Sequence, residues 1–177
     1  LDKTATAMGA RLLRAWLEQP LQNMDDINAR LDAVEELFKK QHARETLHSA
    51  LNSIYDIERL CSRIAYGTVH ARDCDALRAS LCHLPEVLEA VTALKAPEFR
   101  RIAANLDPMD DIAALLNAAI VENPPLSVKE GGVIRDGFNA EVDSLREAAR
   151  NGKSWIAKME ADERAATGIK NLKIGYN

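Results

Sequence analysis

Several short patterns in this 177-residue sequence hold side chains capable of chemistry. Gly152-Lys153-Ser154 has the ending of a phosphate-binding loop, in which backbone N–H groups cradle phosphate and a lysine supplies charge. That loop also needs a glycine five positions earlier, where Glu147 stands, and a strand before it, whereas the preceding residues have helical spacing. A glycine that loosens or kinks a helix is the better reading. Cys74, Cys82 and His83 are potential metal ligands, but structural zinc takes four ligands at short paired spacings. Cys61, Cys74 and Cys82 instead fall on helical apolar stripes, which predicts core thiols. Three cysteines without CxxC spacing also argue against a disulfide framework and for reduced thiols. His42, His48 and His70 lie in polar stretches and are expected at the surface. The adjacent acids Asp25-Asp26 and Asp110-Asp111 stand at helix starts, where the helix dipole accounts for them. No His-Glu-x-x-His, Ser/His/Asp order or glycine-rich nucleotide fingerprint occurs, so the sequence predicts no catalytic residue and no metal site.

The segment Ile169 to Asn177 remains. Lys170 and Lys173 can meet phosphate oxygens, and Asn171 and Asn177 can hydrogen-bond them. A solvated strand with ordinary lysines is the competing reading, and the residues alone leave both open. Arg164 is a weaker candidate, because it can pair with acids along its own helix. Arg59 and Arg63, four apart, can join subdomains through carboxylates or simply lie at the surface. The chain has 23 basic and 27 acidic residues, a net charge of -4, which excludes a protein that coats nucleic acid over its whole surface. Any such contact must come from a local basic patch.

The elements that position these residues read as helices. Hydrophobic residues make up 47% of the chain and aromatics only 5%, so the core is built mostly of aliphatic side chains and alanine. Glycine and proline are sparse, and long stretches are rich in Ala, Leu, Glu and Arg, which lose little freedom in a helix. An all-α class follows. Helical spacing covers Thr4 to Glu18, then a stretch capped by Asn23 with a stripe of Ile27, Leu31, Val34, Leu37 and Phe38. Further helices are predicted over Gln41–Asn52, Asp56–Tyr66 and Ala71–Leu84, with Pro85 interrupting or bending the path before Val87–Leu94. Pro97–Leu106 and Asp110–Ile120 complete this series. Asn123-Pro124-Pro125 breaks it, and Val128 to Phe138 predicts a short hairpin or irregular loop. Phe138, Val142, Leu145, Ala149, Gly152, Ile156 and Met159 then alternate in steps of four and three, a heptad seam on one long helix that Gly168 ends. Such a solvated helix calls for a partner helix. Leu172 to Tyr176 reads as a short terminal strand. No run of 18 apolar residues and no signal peptide is present. The start at Leu1 within an amphipathic pattern and the stop at Asn177 within a strand pattern are what a segment of a longer protein would give.

Several strings carry a resemblance. Leu1-Asp2-Lys3-Thr4, Thr6-Ala7-Met8-Gly9-Ala10-Arg11-Leu12-Leu13-Arg14, Trp16-Leu17 and Gln19-Pro20-Leu21 open it. Arg30-Leu31-Asp32-Ala33-Val34-Glu35-Glu36-Leu37, Asp56-Ile57-Glu58-Arg59-Leu60, Ser62-Arg63-Ile64 and Leu77-Arg78-Ala79-Ser80-Leu81 continue it. Glu130-Gly131-Gly132-Val133-Ile134, Glu163-Arg164, Thr167-Gly168-Ile169 and Leu172-Lys173-Ile174-Gly175-Tyr176-Asn177 close it. In this order they resemble the lever of the MutS family of DNA mismatch-repair proteins. Ala10, where Gly is common, and Val142-Asp143-Ser144, where Leu-Asp-Glu is common, are small departures.

The resemblance implies a parent dimer that embraces a DNA duplex. One domain of the parent reads a mismatch with an inserted Phe, and another hydrolyses ATP with Mg. Helical levers join that ATPase to a clamp on the DNA backbone. Residues 1–152 would be lever and 153–177 the incomplete start of the clamp, with Lys170, Asn171, Lys173 and Asn177 as DNA-backbone contacts. This segment would itself be no enzyme and hold no cofactor. Implied partners are mismatched double-stranded DNA, a second copy of the parent and a MutL-like repair protein, in the cytoplasm and without a membrane. The lever match favours the mismatch-repair branch over MutS-like proteins of recombination. The alternative is a stand-alone helical interaction module that uses the 138–159 seam.

Overall fold

In the computed structural model, which describes residues 2–169 and 171–174 (Lys153 by its backbone), seven helices precede an irregular loop and an eighth, long helix follows it. They are α1 (Ala7–Glu18), α2 (Met24–Lys39), α3 (Gln41–Asn52), α4 (Ile57–Ala65), α5 (Ala71–Thr92), α6 (Pro97–Asn105), α7 (Asp110–Ala119) and α8 (Ala140–Thr167). The all-α class is thus as the sequence predicts. The starts are chemically specified. Thr6, Asn23 and Asp56 accept from the N–H groups of Gly9, Asp25 and Arg59, and Pro97 opens α6, where its missing N–H costs nothing. Two compact units divide at Val133 and Ile134.

In the first unit α5 is central, packing against α3, α4, α6 and α7, while α2 packs on α3 and α6. Its two halves serve two apolar clusters. Leu77 and Leu81 meet Leu60 and Ala113. Val87 and Val91 meet Ala33, Ala50, Leu94, Ala96 and Phe99. The expected interruption at Pro85 does not occur. Proline forfeits a ladder hydrogen bond, but apolar anchors on both sides hold α5 continuous through it, and the ring lies on the exposed face. Ser80, fully buried, is satisfied by accepting from the Tyr55 N–H at 3.0 Å and donating to the Ala76 carbonyl at 2.8 Å.

The stripe expected on α2 is also corrected. Leu37 packs on the first cluster, yet Leu31, Val34 and Phe38 are exposed and Ala33 is buried in their place. A small side chain there lets α3 and α6 approach closely.

Polar ties lock the helices. Arg11 of α1 donates to Asp56 at 2.7 and 2.8 Å and to Glu58, at the start of α4. The Arg11 guanidinium holds the Asp56 carboxyl below its ordinary range. Arg63 pairs with Asp73, joining α4 to α5, whereas Arg59 is exposed. Glu36 of α2 accepts from the N–H groups of Lys95 and Ala96 just before α6, at 2.7–2.9 Å, and from Lys40 at 2.7 Å. Lys40 first, then those two backbone donors, lower its pKa to about 2.

The region after α7 is an irregular loop with a 3-10 turn over Val128–Glu130, closed by a Ser127 and Glu130 capping box. Buried Pro124 accepts from Arg72 Nε at 3.2 Å. Among the described residues, no helix is long and apolar enough to cross a membrane.

In the second unit Asn139 caps α8 by accepting from Glu141 and Val142. The 28 residues of α8 span about 42 Å at ~1.5 Å per residue. The helix is continuous through Gly152. On its seam Val142, Ile156 and Met159 are half-buried, while Phe138, Leu145, Ala149 and Gly152 are exposed.

Candidate nucleic-acid interface

The candidate contacts lie where α8 ends. Gly168 adopts the left-handed conformation (φ 70°), which glycine tolerates without strain, and donates to the Arg164 carbonyl at 3.0 Å. A turn follows, with Leu172 N–H donating to Ile169 O at 3.2 Å. The chain thereby reverses toward the last turns of the helix. Arg164 Nε donates to the Leu172 carbonyl at 2.9 Å, and its terminal nitrogen pairs with Glu160 Oε1. Glu160 Oε2 accepts from the Ile174 N–H at 3.1 Å. Leu172 and Ile174 are half-buried, and Asn171 and Lys173 are exposed.

The tail therefore alternates as a strand would. Residues 172–174 nevertheless carry no strand pairing, and Gly175 and Tyr176 lie outside the described residues. Of the four sequence candidates, Asn171 and Lys173 are exposed and two positions apart. Lys170 and Asn177 lie outside the described residues. Arg164 is committed to Glu160 and to the tail carbonyl, in line with its pairing along the helix. The sequence reading passed over Glu160, although its i,i+4 spacing to Arg164 signals a pair. Its bond to the Ile174 N–H depends on the chain reversal and has no local signature.

A second polar clasp sits at the start of α8. Arg146 donates to the Ile134 carbonyl at 2.6 Å and pairs with Asp136 at 2.7 Å and Asp143 at 3.3 Å. Asp143 in turn accepts from Gly137 N–H at 2.8 Å. This sets the chain's entry into the helix.

The other chemical patterns have structural roles. Gly152-Lys153-Ser154 is helical throughout, and Ser154 Oγ donates to the Asn151 carbonyl at 2.8 Å. The cysteine expectation needs correction. Cys61 and Cys82 are exposed, and only Cys74 is half-buried, where burial raises its thiol pKa. Cys61 follows Leu60, about 100° further round α4, so the step that buries Leu60 against α5 turns its neighbour outward. Among the described residues, no three His, Cys, Asp or Glu side chains group as metal ligands. His42, His48 and His70 are exposed, as expected.

Comparison with known proteins bears on the whole chain. The family model described as MutS domain III matches residues 1–172. Over all 177 residues the chain is 50% identical to the DNA mismatch repair protein MutS of Desulforamulus reducens, covering 20% of that protein. It is 49% identical to the protein of the same name from Geobacillus sp. (strain WCH70) and 48% to that from Lactobacillus acidophilus, covering 21% of each. The chain thus spans about a fifth of the length of these relatives. With one family domain matched over residues 1–172 and about half of its residues shared with these relatives, the chain belongs to the MutS family, as its domain III.

Proposed function

We propose that this chain is the mechanical connector of a longer mismatch-repair protein. It is a lever to about Gly152 and the first leg of a DNA clamp over 153–177. Because α8 passes through Gly152 unbroken, that boundary is a change of role along one helix and not a break in the fold. The carrying observation is the reversed tail, which exposes Asn171 and Lys173 at the end of α8. A lysine and an amide suit phosphodiester oxygens and would position a duplex without reading its bases. Lys170 and Asn177 are assigned to the same contact from their place in the sequence.

In this reading ATP and Mg are handled by another domain. The packed helices of residues 1–133 transmit its state as rigid elements with more than one arrangement. Mismatched duplex DNA, a second copy of the parent and a MutL-like protein in the cytoplasm are the proposed partners. The name that the relatives share, DNA mismatch repair protein, supports this assignment. A stand-alone interaction module is not favoured, because one family domain accounts for residues 1–172.

The test is duplex binding by the 177-residue chain as a function of salt, with Lys173→Ala and Lys170→Ala. Weak, sequence-independent binding is expected, and its log–log salt slope should shrink by about one for each lysine removed. An unchanged slope, or no binding at low salt, overturns the reading.

A further inference from the structure

The two oxygens of Glu160 have different partners: the Arg164 guanidinium, and the Ile174 N–H at 3.1 Å. Arg164 likewise faces two ways, toward that carboxylate and toward the Leu172 carbonyl at 2.9 Å. Together they tie both flanks of Lys173 to the last turns of α8. Glu160 and Arg164 are half-buried, whereas Asn171 and Lys173 are exposed. Arg164 is 39% exposed and Glu160 23%, and each has its charge opposed by the other.

We infer that Glu160 and Arg164 are positioning residues for DNA-backbone recognition, a latch that presets Asn171 and Lys173 without either latch residue touching phosphate. This inference rests on the DNA-gripping function proposed above. The physical ground is entropic. A tail fixed before binding loses little further freedom when phosphate arrives, whereas a loose tail must be ordered by the contact itself. The planar guanidinium fork can serve a carboxylate and a carbonyl at once, which a lysine ammonium on its flexible stem cannot hold in the same geometry.

Electrostatics alone predicts the opposite sign for one substitution, and that makes the inference testable. Glu160→Gln removes a negative charge near the proposed phosphate contact, so a simple charge effect tightens binding. The latch predicts weakening by about threefold to tenfold, because one amide cannot replace both acceptors and the tail must then be ordered on binding. Arg164→Lys keeps the charge and should weaken binding to a similar extent.

The probe is a fluorescein-labelled mixed-sequence duplex at low salt, titrated with the 177-residue chain and its variants. Hydrogen exchange at the Ile174 amide is followed in parallel. That amide should be protected in the parent chain and in Lys173→Ala, and should exchange rapidly in Glu160→Gln. Weakened binding in both latch variants together with this exchange pattern supports the inference. Parent-like or tighter binding by Glu160→Gln, or parent-like binding by Arg164→Lys, overturns it while leaving the gripping function intact if Lys173→Ala still weakens binding. Failure of the parent chain to bind overturns both.

Discussion

Up to Val133 the chain buries Leu60, Leu77, Leu81, Val87, Val91, Leu94 and Phe99, whereas from Ile134 onward none of the described residues is buried. The second unit is defined instead by two polar clasps, Arg146 at the start of α8 and Glu160 with Arg164 at its end. Hydrophobic burial is non-directional and tolerates salt, while hydrogen bonds to charged groups fix direction but add only modest net stability. The difference suits the connector role proposed above. One part resists deformation, and the other holds a particular geometry in water.

The largest effect should come from breaking the apolar side of this contrast. Leu81 is 2% exposed, and Leu81→Ala should cost ~2–5 kcal/mol in urea denaturation. Leu145 on α8 is 65% exposed, and Leu145→Ala should stay within ~0.5 kcal/mol. Comparable losses at the two sites would erase the distinction.

Glu36 is next, because there the apolar unit uses a polar clasp of its own. Glu36→Ala leaves the Lys95 and Ala96 N–H groups without their acceptor and should cost ~1–3 kcal/mol. Folding lowers this carboxyl to about 2 from 4.5. Its contribution is therefore fully present above pH 4.5 and is lost as pH falls toward 2. Urea midpoints measured down that range should fall more steeply for the parent than for Glu36→Gln. Parallel slopes would remove Glu36 as a source of acid sensitivity.

Of the polar clasps, Arg146→Ala should cost less than Glu36→Ala, under ~1 kcal/mol, because its partner Asp136 is 81% exposed. Its signature is local. The Gly137 amide and the first turn of α8 should lose hydrogen-exchange protection while the amides of α5 do not. A loss of protection across α5 would show that the clasp supports more than its own unit.

Much of the fold was legible because its cues are local. The seam that begins at Phe138 and the Gly168 that closes it place α8 to within two residues at its start and directly at its end. The misreadings occurred where neighbouring helices decide. Periodicity picks out the larger residues Leu31, Val34 and Phe38 on α2, but the surface facing α3 and α6 is the one that carries Ala33. Pro85 is a breaker only when nothing else anchors the helix, and here clusters on both sides do. At the tail, Lys173 and Asn171 stood out by type. The latch beneath them did not, because a bond from Glu160 to a backbone N–H fourteen positions on becomes visible only once the chain reverses at Gly168.

The uninterrupted course of α8 from Asn139 to its latch also constrains its length. Each residue inserted or deleted within it turns the tail by about 100° around the helix axis and shifts it by about 1.5 Å. One extra residue would leave both clasps intact and still aim Asn171 and Lys173 in a different direction. Seven would restore the aim to within about 20°, displaced by two turns. The helix thus acts as a phase rod, and length changes along it should be tolerated in heptads, whereas the loop around Val128–Glu130 has no such phase to keep.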